Sequence, residues 1–485
     1  MITPEELLQL GFSSNCIASP IFQKALHLAQ KMNIPEEVYK ASLRQLLQKP
    51  DDFLHDTLFR DVAILLTTER NTLPYIRETP APYQQWGGAD MDDMALAQMQ
   101  NACSLPIAIR GALMPDAHVG YGLPIGGVLA VEKAVIPYAV GVDIACRMRL
   151  TVTDIPMDFF NNKHERIRLI EALEKKTRFG VGASFAPHER HEHPIMDEDW
   201  GESPITKEYK DLAWKQLGTS GGGNHFAEFG ELYCDADVEL GGILIKKGSY
   251  LSLLSHSGSR GTGEKVADYY CRRAMQQHPW LPKPIQHLAW FDMESHDGQE
   301  YWNAMERMGR YAEANHALIH HHILQYLGAK SLTSVENHHN FAWHEEVDGK
   351  PAIVHRKGAT PAASGVQGII PGSMGTPGFV VSGKGDSASL NSCSHGAGRI
   401  MSRGMALRQF TEDDVSRFLT AKGIELLSGG SDEAPMVYKD IFAIMQAQED
   451  LVHTLARFDP KIVKMAPAKN RRASGSRKRK GKKKK

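Results

Sequence analysis

The chain has 485 residues, 42% of them hydrophobic and 23% charged, an ordinary globular composition with ample material for a buried core. No apolar run is long enough to span a bilayer, and the six cysteines (Cys16, Cys103, Cys146, Cys234, Cys271 and Cys393) are scattered without paired spacing, which argues against a disulfide framework or a zinc ribbon. The formal net charge of −1 conceals an asymmetry: 11 of the 56 Lys/Arg lie in residues 466–485, which hold no acid, and the remaining 45 face 57 Asp/Glu.

The opening MITPEELLQLGF has no basic region followed by an apolar stretch, so a soluble protein of the cytoplasm is expected. Residues 3–70 read as short amphipathic helices (PEELLQLG, IFQKALHLAQKM, PEEVYKASLRQLL) broken at Gly11, Pro20 and Pro35. From about residue 105 the character changes. VLAVEKAVIPYAVGVDIACRMRLTV is rich in Val, Ile and Ala and predicts buried strands. Helices are predicted at 164–178, 205–217, 263–277 and 298–327, the last with Trp302, Met305, Met308, Tyr311 and Ala312 at helical spacing. Thr411 with Asp414 resembles a capping box opening a helix near 412–427. Without a regular βαβ rhythm or internal repeats, the expected class is α+β. Three segments are expected: a helical N-terminal extension (1–100), one large domain (101–465) and a disordered basic tail (466–485). The tail suits phosphate backbones through counterion release, or serves as a solubilising or address-like segment.

Between these elements lie glycine-rich or small-residue runs, each carrying a ligand or nucleophile type. GVDIACR holds Asp143 and Cys146, a carboxylate and a thiol able to converge on one cation; a capping aspartate beside a core cysteine is the alternative. GTSGGGNHFAE holds Asn224, His225 and Glu228 after three glycines that permit close backbone approach to an anion. LSHSGSRGTG offers His256 and a candidate phosphate clamp in Arg260. SVENHHNFAWH places His338 and His339 on opposite faces of an extended segment, so only one is expected to be a ligand. Arg356 and Lys357 are candidate phosphate contacts. PGSMGTPGFVVSGKG and SCSHGAGR complete the set, with His395 among small residues where an imidazole could attack phosphorus. GFVVSGK (378–384) imitates a phosphate-binding loop, but Gly385 stands where a magnesium-binding Ser or Thr is needed. The clusters around His188, His191 and His193 and at His320–His322 are expected to be non-catalytic. Together, an O/S/N ligand set, arginines, glycine loops and a spare histidine suit metal-assisted phosphoryl or nucleotidyl transfer.

MPDAHVGYGLPIGGVLA, GVDIACRM, GGGNHFAE, SHSGSRG, HHN, IIPGSMG and SCSHGAGR, in this order, resemble the RtcB family of RNA ligases over roughly residues 100–465. The resemblance implies an RtcB-like catalytic domain that uses GTP and two manganese ions. Asp143, Cys146 and His225 would hold one ion, and Cys146, His256 and His339 the other, with the thiolate bridging. His395 would become covalently guanylylated. Asn224, His225, Phe226, Ala227, Glu228, His339, Asn340, Pro371, Gly372, Ser373, Met374, His395, Gly396, Ala397, Gly398 and Lys464 would contact GTP. The implied reaction joins RNA 3′-phosphate or 2′,3′-cyclic phosphate ends to 5′-hydroxyl ends, in tRNA splicing or RNA repair. Two competing readings are an end-processing relative without efficient sealing and a non-catalytic RNA-binding relative. Arg147 and Gly378 depart from the residues common in the family, as does the basic tail following Lys464.

Overall fold

A computed structural model describes residues 2–12, 16–17, 19–32, 34–72, 76–88 and 91–467. Most of the basic tail lies outside the described residues. The chain forms two compact units, residues 1–78 with 275–286, and residues 79–274 with 287–485. The first division between the units falls at 78/79, ahead of the expected boundary at 100. The reason is local: Tyr83–Gln85 pairs in parallel with Gly111–Leu113, and the helix Asp93–Cys103 buries Met99 and Cys103 in the larger unit.

The smaller unit carries the expected amphipathic helices, Pro4–Leu10, Pro20–Lys31 and Glu36–Gln48. The first is opened by a reciprocal capping box between Thr3 and Glu6 and closed by Gly11 in the left-handed region. Their apolar faces meet in a core that includes Leu7, Phe12, Phe22, Leu43 and Leu46, each such side chain stabilising the fold by about 1.5–3 kcal/mol through burial.

The larger unit is α+β, with two large sheets and three two-stranded ones among the described residues. One runs, in spatial order, Tyr83–Gln85, Ala108–His118, Ile125–Val131, Lys350–Lys357 and Asn340–Val347. The other runs Ser331–His338, Arg147–Thr153, Gly248–Ser257, Phe226–Cys234, Val452–Met465, Gly378–Gly383 and Gln367–Ile370, with Glu425–Ser428 paired alongside. The helix His296–Leu327 is capped by the Ser295 hydroxyl and by Gly328 at φ 69°; it buries Met305, Met308, Tyr311 and Ala312 at the spacing read from sequence. The capping box at Thr411 is present, but its helix ends at Ala421, because Glu425–Ser428 leaves as a strand to pair with Ile462–Lys464. No helix among the described residues is long and apolar enough to cross a membrane.

Register positions the site. In the larger sheet His338 pairs with Arg147, Arg147 with Ser257, and His256 with both Met148 and Phe226. Cys146, His225, His256 and His339 therefore fall at the same end of four adjacent strands. His339 is also the single residue between a strand of one sheet and a strand of the other.

Candidate metal centre and nucleotide cavity

The turn carrying Asp143 and Cys146 is fastened on both flanks. The Ala145 amide donates to the Asn340 carbonyl at 2.8 Å, and the His339 amide to the Cys146 carbonyl at 3.0 Å. The Asn340 side chain donates to the Asp143 carbonyl at 3.1 Å, and the Ser259 hydroxyl to the Ile144 carbonyl at 2.6 Å. Two glycines make room for ligands. A Cβ on Gly221 would lie 1.9 Å from Nδ1 of His225, and one on Gly258 would lie 2.1 Å from Oδ1 of Asp143, far inside contact distance.

Cys146 Sγ lies 3.0 Å from Nε2 of His256 and 3.5 Å from Nε2 of His225. His256 Nε2 is 3.4 Å from His339 Nε2, and His225 Nε2 is 2.9 Å from Asp143 Oδ2. Two ligand triads result, Cys146–His256–His339 and Asp143–Cys146–His225, with Cys146 common to both. Nδ1 of His256 donates to the Asn224 carbonyl at 3.1 Å, which leaves a lone pair on Nε2 pointing at the sulfur and at the other imidazole. Atoms 3.0–3.5 Å apart match the edge of a tetrahedron around an ion with bonds of about 2.0–2.3 Å. Converging lone pairs repel, and a cation between them removes the repulsion.

Electrostatics agree. Burial, then the neighbouring His225 and His395 rings, push the His256 imidazole well below the usual range. Burial, then His395 and His256, do the same to His339, so both are neutral imidazoles, the form that could hold a metal. Burial and the Asp143 charge raise the Cys146 thiol. Burial alone would raise the Asp143 carboxyl, but the facing His225 holds it below the ordinary carboxylate value.

Beside the triads opens a cavity of about 390 Å³. It is lined by Asn224, Phe226, His339, Asn340, the run Pro371–Met374 and the run His395–Gly398. His395 stands with its ring centroid 5.1 Å from that of His339. Its Nδ1 is 2.6 Å from Oδ2 of Asp116, a fully buried carboxylate that also accepts from the amides of His395 (3.2 Å) and Gly396 (3.3 Å). Burial opposes the Asp116 charge, but His395 holds its carboxyl below the ordinary value. An Nδ1–H donating to Asp116 leaves the Nε2 lone pair free.

The remaining expected residues divide. His225 turns to the metal triad rather than the cavity. Ala227 is buried among Leu169, Phe229 and Ile462. Glu228 is buried, with no hydrogen-bond partner among the described residues and its carboxyl raised well above the carboxylate range by burial. Lys464 stands away from the cavity: its ammonium donates to the Leu173 carbonyl at 3.1 Å and pairs with Glu174 at 3.2 Å. The strand alternates there, so Met465 lines the cavity while Lys464 lies on the other face with Ala227.

Two arginines expected at phosphate are instead structural. Arg260 donates to Thr219 Oγ1 (3.1 Å) and the Ser220 carbonyl (2.8 Å), bracing the glycine loop. Arg356 is buried against Glu345, Ser392 and the Leu390 carbonyl. Lys357 lines the cavity but spends its amine on the carbonyls of Tyr121 and Leu123. His338 turns from the triad to stack on Trp343, centroids 5.1 Å apart. Neither the cluster at His188–His193 nor that at His320–His322 belongs to a ligand triad.

Sequence reasoning missed Asp116, although it lies in MPDAHVGYG; only its spatial partner reveals its role. It also missed Glu433, a buried carboxylate paired with Arg399 (2.6 Å) and Arg403 (2.7 Å) at the cavity wall. Arg403 is half exposed and supplies the accessible guanidinium that Arg260 does not.

Fold and site together define an α+β protein in which two candidate metal-ligand triads share one thiol beside a histidine-bearing cavity. A family model described as "tRNA-splicing ligase RtcB" matches residues 98–465. The RNA-splicing ligase RtcB of Escherichia coli (strain K12) is 32% identical over 424 residues, covering 81% of this chain and 96% of that protein. The tRNA-splicing ligase RtcB of Nanoarchaeum equitans is 32% identical over 440 residues, 77% of this chain and 91% of the relative. The RNA-splicing ligase RtcB homolog 1 of Entamoeba histolytica is 32% identical over 421 residues, 72% and 79% respectively. The chain belongs to the RtcB family.

Proposed function

We propose that the chain is an RNA ligase joining 3′-phosphate ends, or 2′,3′-cyclic phosphate ends once opened by water, to 5′-hydroxyl ends at the expense of GTP. The observation that carries this reading is one arrangement: a thiol common to two ligand triads, with the His395 ring 5.1 Å from the His339 ring and its Nδ1 engaged by Asp116. Asp143, Cys146 and His225 suit one manganese ion, and Cys146, His256 and His339 a second. Manganese, when bound, neutralises phosphate charge and favours the leaving of pyrophosphate.

The chain's own residues carry the transfer. Nε2 of His395 attacks the α-phosphorus of GTP; the N–P bond forms and the bond to pyrophosphate breaks. Asp116 keeps Nδ1 protonated, so the lone pair is presented at Nε2, and it stabilises the positive ring that develops. An oxygen of the RNA 3′-phosphate then attacks the same phosphorus, the N–P bond breaks, and the RNA end carries GMP. The 5′-hydroxyl of the second end attacks the 3′-phosphorus, loses its proton to solvent, and GMP departs. A bare phosphate repels nucleophiles and lacks a good leaving group; the GMP cap supplies one.

The nucleotide fits the segments Asn224–Phe226, Pro371–Met374 and His395–Gly398. Glu228, a buried carboxyl without a partner, suits the N1–H and 2-amino donors of guanine. Lys464 has no part in this reading. RNA carrying a labelled 3′-phosphate, a 5′-hydroxyl strand, GTP and manganese form the test. A joined product is expected; accumulation of a GMP-capped end alone would make the chain an end-processing enzyme.

A further inference from the structure

Two of the segments assigned to GTP adjoin one another, Gly396 lying against Pro371. The part of the cavity lining that nothing above assigns includes an aromatic patch. Tyr121 is 64% exposed on the cavity wall, with Tyr138 beside it. Ring centroids are 6.2 Å apart for Tyr121–Tyr138, 5.9 Å for Tyr121–His287 and 4.8 Å for Tyr138–His287.

The loop presenting Tyr121 is fixed from several directions. The Lys357 amine donates to the carbonyls of Tyr121 (2.5 Å) and Leu123 (3.0 Å). Gln98 brackets Gly120, donating to its carbonyl at 2.6 Å and accepting from its amide at 3.0 Å. Gly122 has φ +70°, with the His287 carbonyl 2.9 Å from where a Cβ would sit. An exposed ring on so constrained a loop loses little entropy when a flat partner lands on it. The loop also starts at the nucleophile. His118 lies over His395, centroids 6.5 Å apart and planes 29° from parallel, and the three residues to Tyr121 span at most about 11 Å.

We propose that Tyr121, backed by Tyr138 and His287, is the platform on which the terminal base of the 3′-phosphate RNA strand stacks while its phosphate reaches His395. This rests on the ligase reading. Such an enzyme must accept ends of differing sequence, and stacking is indifferent to base identity because every base has a π face. Continuity with the His395 cavity selects an RNA end as the occupant.

The test loads each enzyme with labelled GMP, removes free nucleotide, and measures transfer to an RNA 3′-phosphate without a 5′-hydroxyl partner. Tyr121→Ala should raise the RNA concentration for half-maximal transfer about tenfold, the range for losing one base–aromatic stack. Tyr121→Phe should stay within about twofold. An RNA with an abasic terminal nucleotide should reproduce the loss on the parent enzyme and show no further loss on Tyr121→Ala. Unchanged transfer by Tyr121→Ala, equal loss in Tyr121→Phe, or additive loss on abasic RNA would each overturn the platform. Failure of the parent to load with GMP would instead overturn the ligase reading itself.

Discussion

The carboxylate of Asp116 faces Nδ1 of His395 at 2.6 Å, although 279 residues separate them in sequence. The same oxygen accepts two backbone amides of the His395 turn, so one buried group sets the tautomer, the ring orientation and the loop. Asp116→Asn keeps one oxygen for these donors but removes the negative charge that holds Nδ1 protonated and stabilises the positive ring that develops. Transfer of labelled GMP onto the protein should fall about a hundredfold or more, as when the orienting carboxylate of a histidine is lost elsewhere. Labelling within threefold of the parent, with an unchanged melting temperature, would remove Asp116 from the chemistry.

Cys146 belongs to both triads, and Asp143 to one. Manganese titration followed by electron paramagnetic resonance should count two ions in the parent, one in Asp143→Ala and none in Cys146→Ala. Gly258→Ala should behave like Asp143→Ala, because its methyl would stand 2.1 Å from the Asp143 oxygen. Two ions retained by Cys146→Ala would disprove a shared thiolate.

The pH dependence of that binding has a defined sign. The Cys146 thiol is raised by burial and by Asp143, so a metal that needs the thiolate must displace a proton at neutral pH. His256 and His339 are held neutral and add no proton near neutrality. Manganese affinity should rise with pH, by roughly tenfold per unit for one displaced proton. Calorimetry in two buffers of different ionisation enthalpy reads the released proton directly; a pH-independent affinity would contradict the assignment.

Glu228 makes an opposite demand on stability. Burial raises its carboxyl well above 4.5 in the folded protein, while in the unfolded chain it ionises near that value. Above this pH the unfolded state binds fewer protons, so stability is lost as pH rises toward the folded pKa. Glu228→Gln removes the loss. Without nucleotide, its melting temperature relative to the parent should climb between pH 5 and 8; a gap that stays flat or closes would show the carboxyl ionised in the fold.

The tail prediction comes from sequence alone. Deleting residues 466–485, with their 11 Lys/Arg, should weaken RNA binding and flatten its dependence on salt. An unchanged slope in a filter-binding series from 50 to 300 mM salt would assign the tail elsewhere.

Much of the site was legible because its chemistry is concentrated in short runs. Cys146, His256 and His339 each sit at a strand end in a small-residue setting, and His395 lies in SCSHGAGR. What stayed hidden was direction and partnership. Arg260 and Lys464 have the right residue type, yet strand alternation and local carbonyls turn them elsewhere. Asp116 and Glu433 are ordinary in sequence and acquire meaning only when folding sets a histidine or two arginines against them. Tyr83–Gln85 lies ahead of the expected boundary at residue 100, and its pairing is set by a strand beyond that boundary.

The most direct test is to incubate the full chain with α-labelled GTP and manganese, and then map the adduct by mass spectrometry. A single acid-labile GMP on His395, absent from His395→Ala, is the predicted result. Labelling that persists in His395→Ala, or an adduct carried on a lysine, would contradict the mechanism at its first bond.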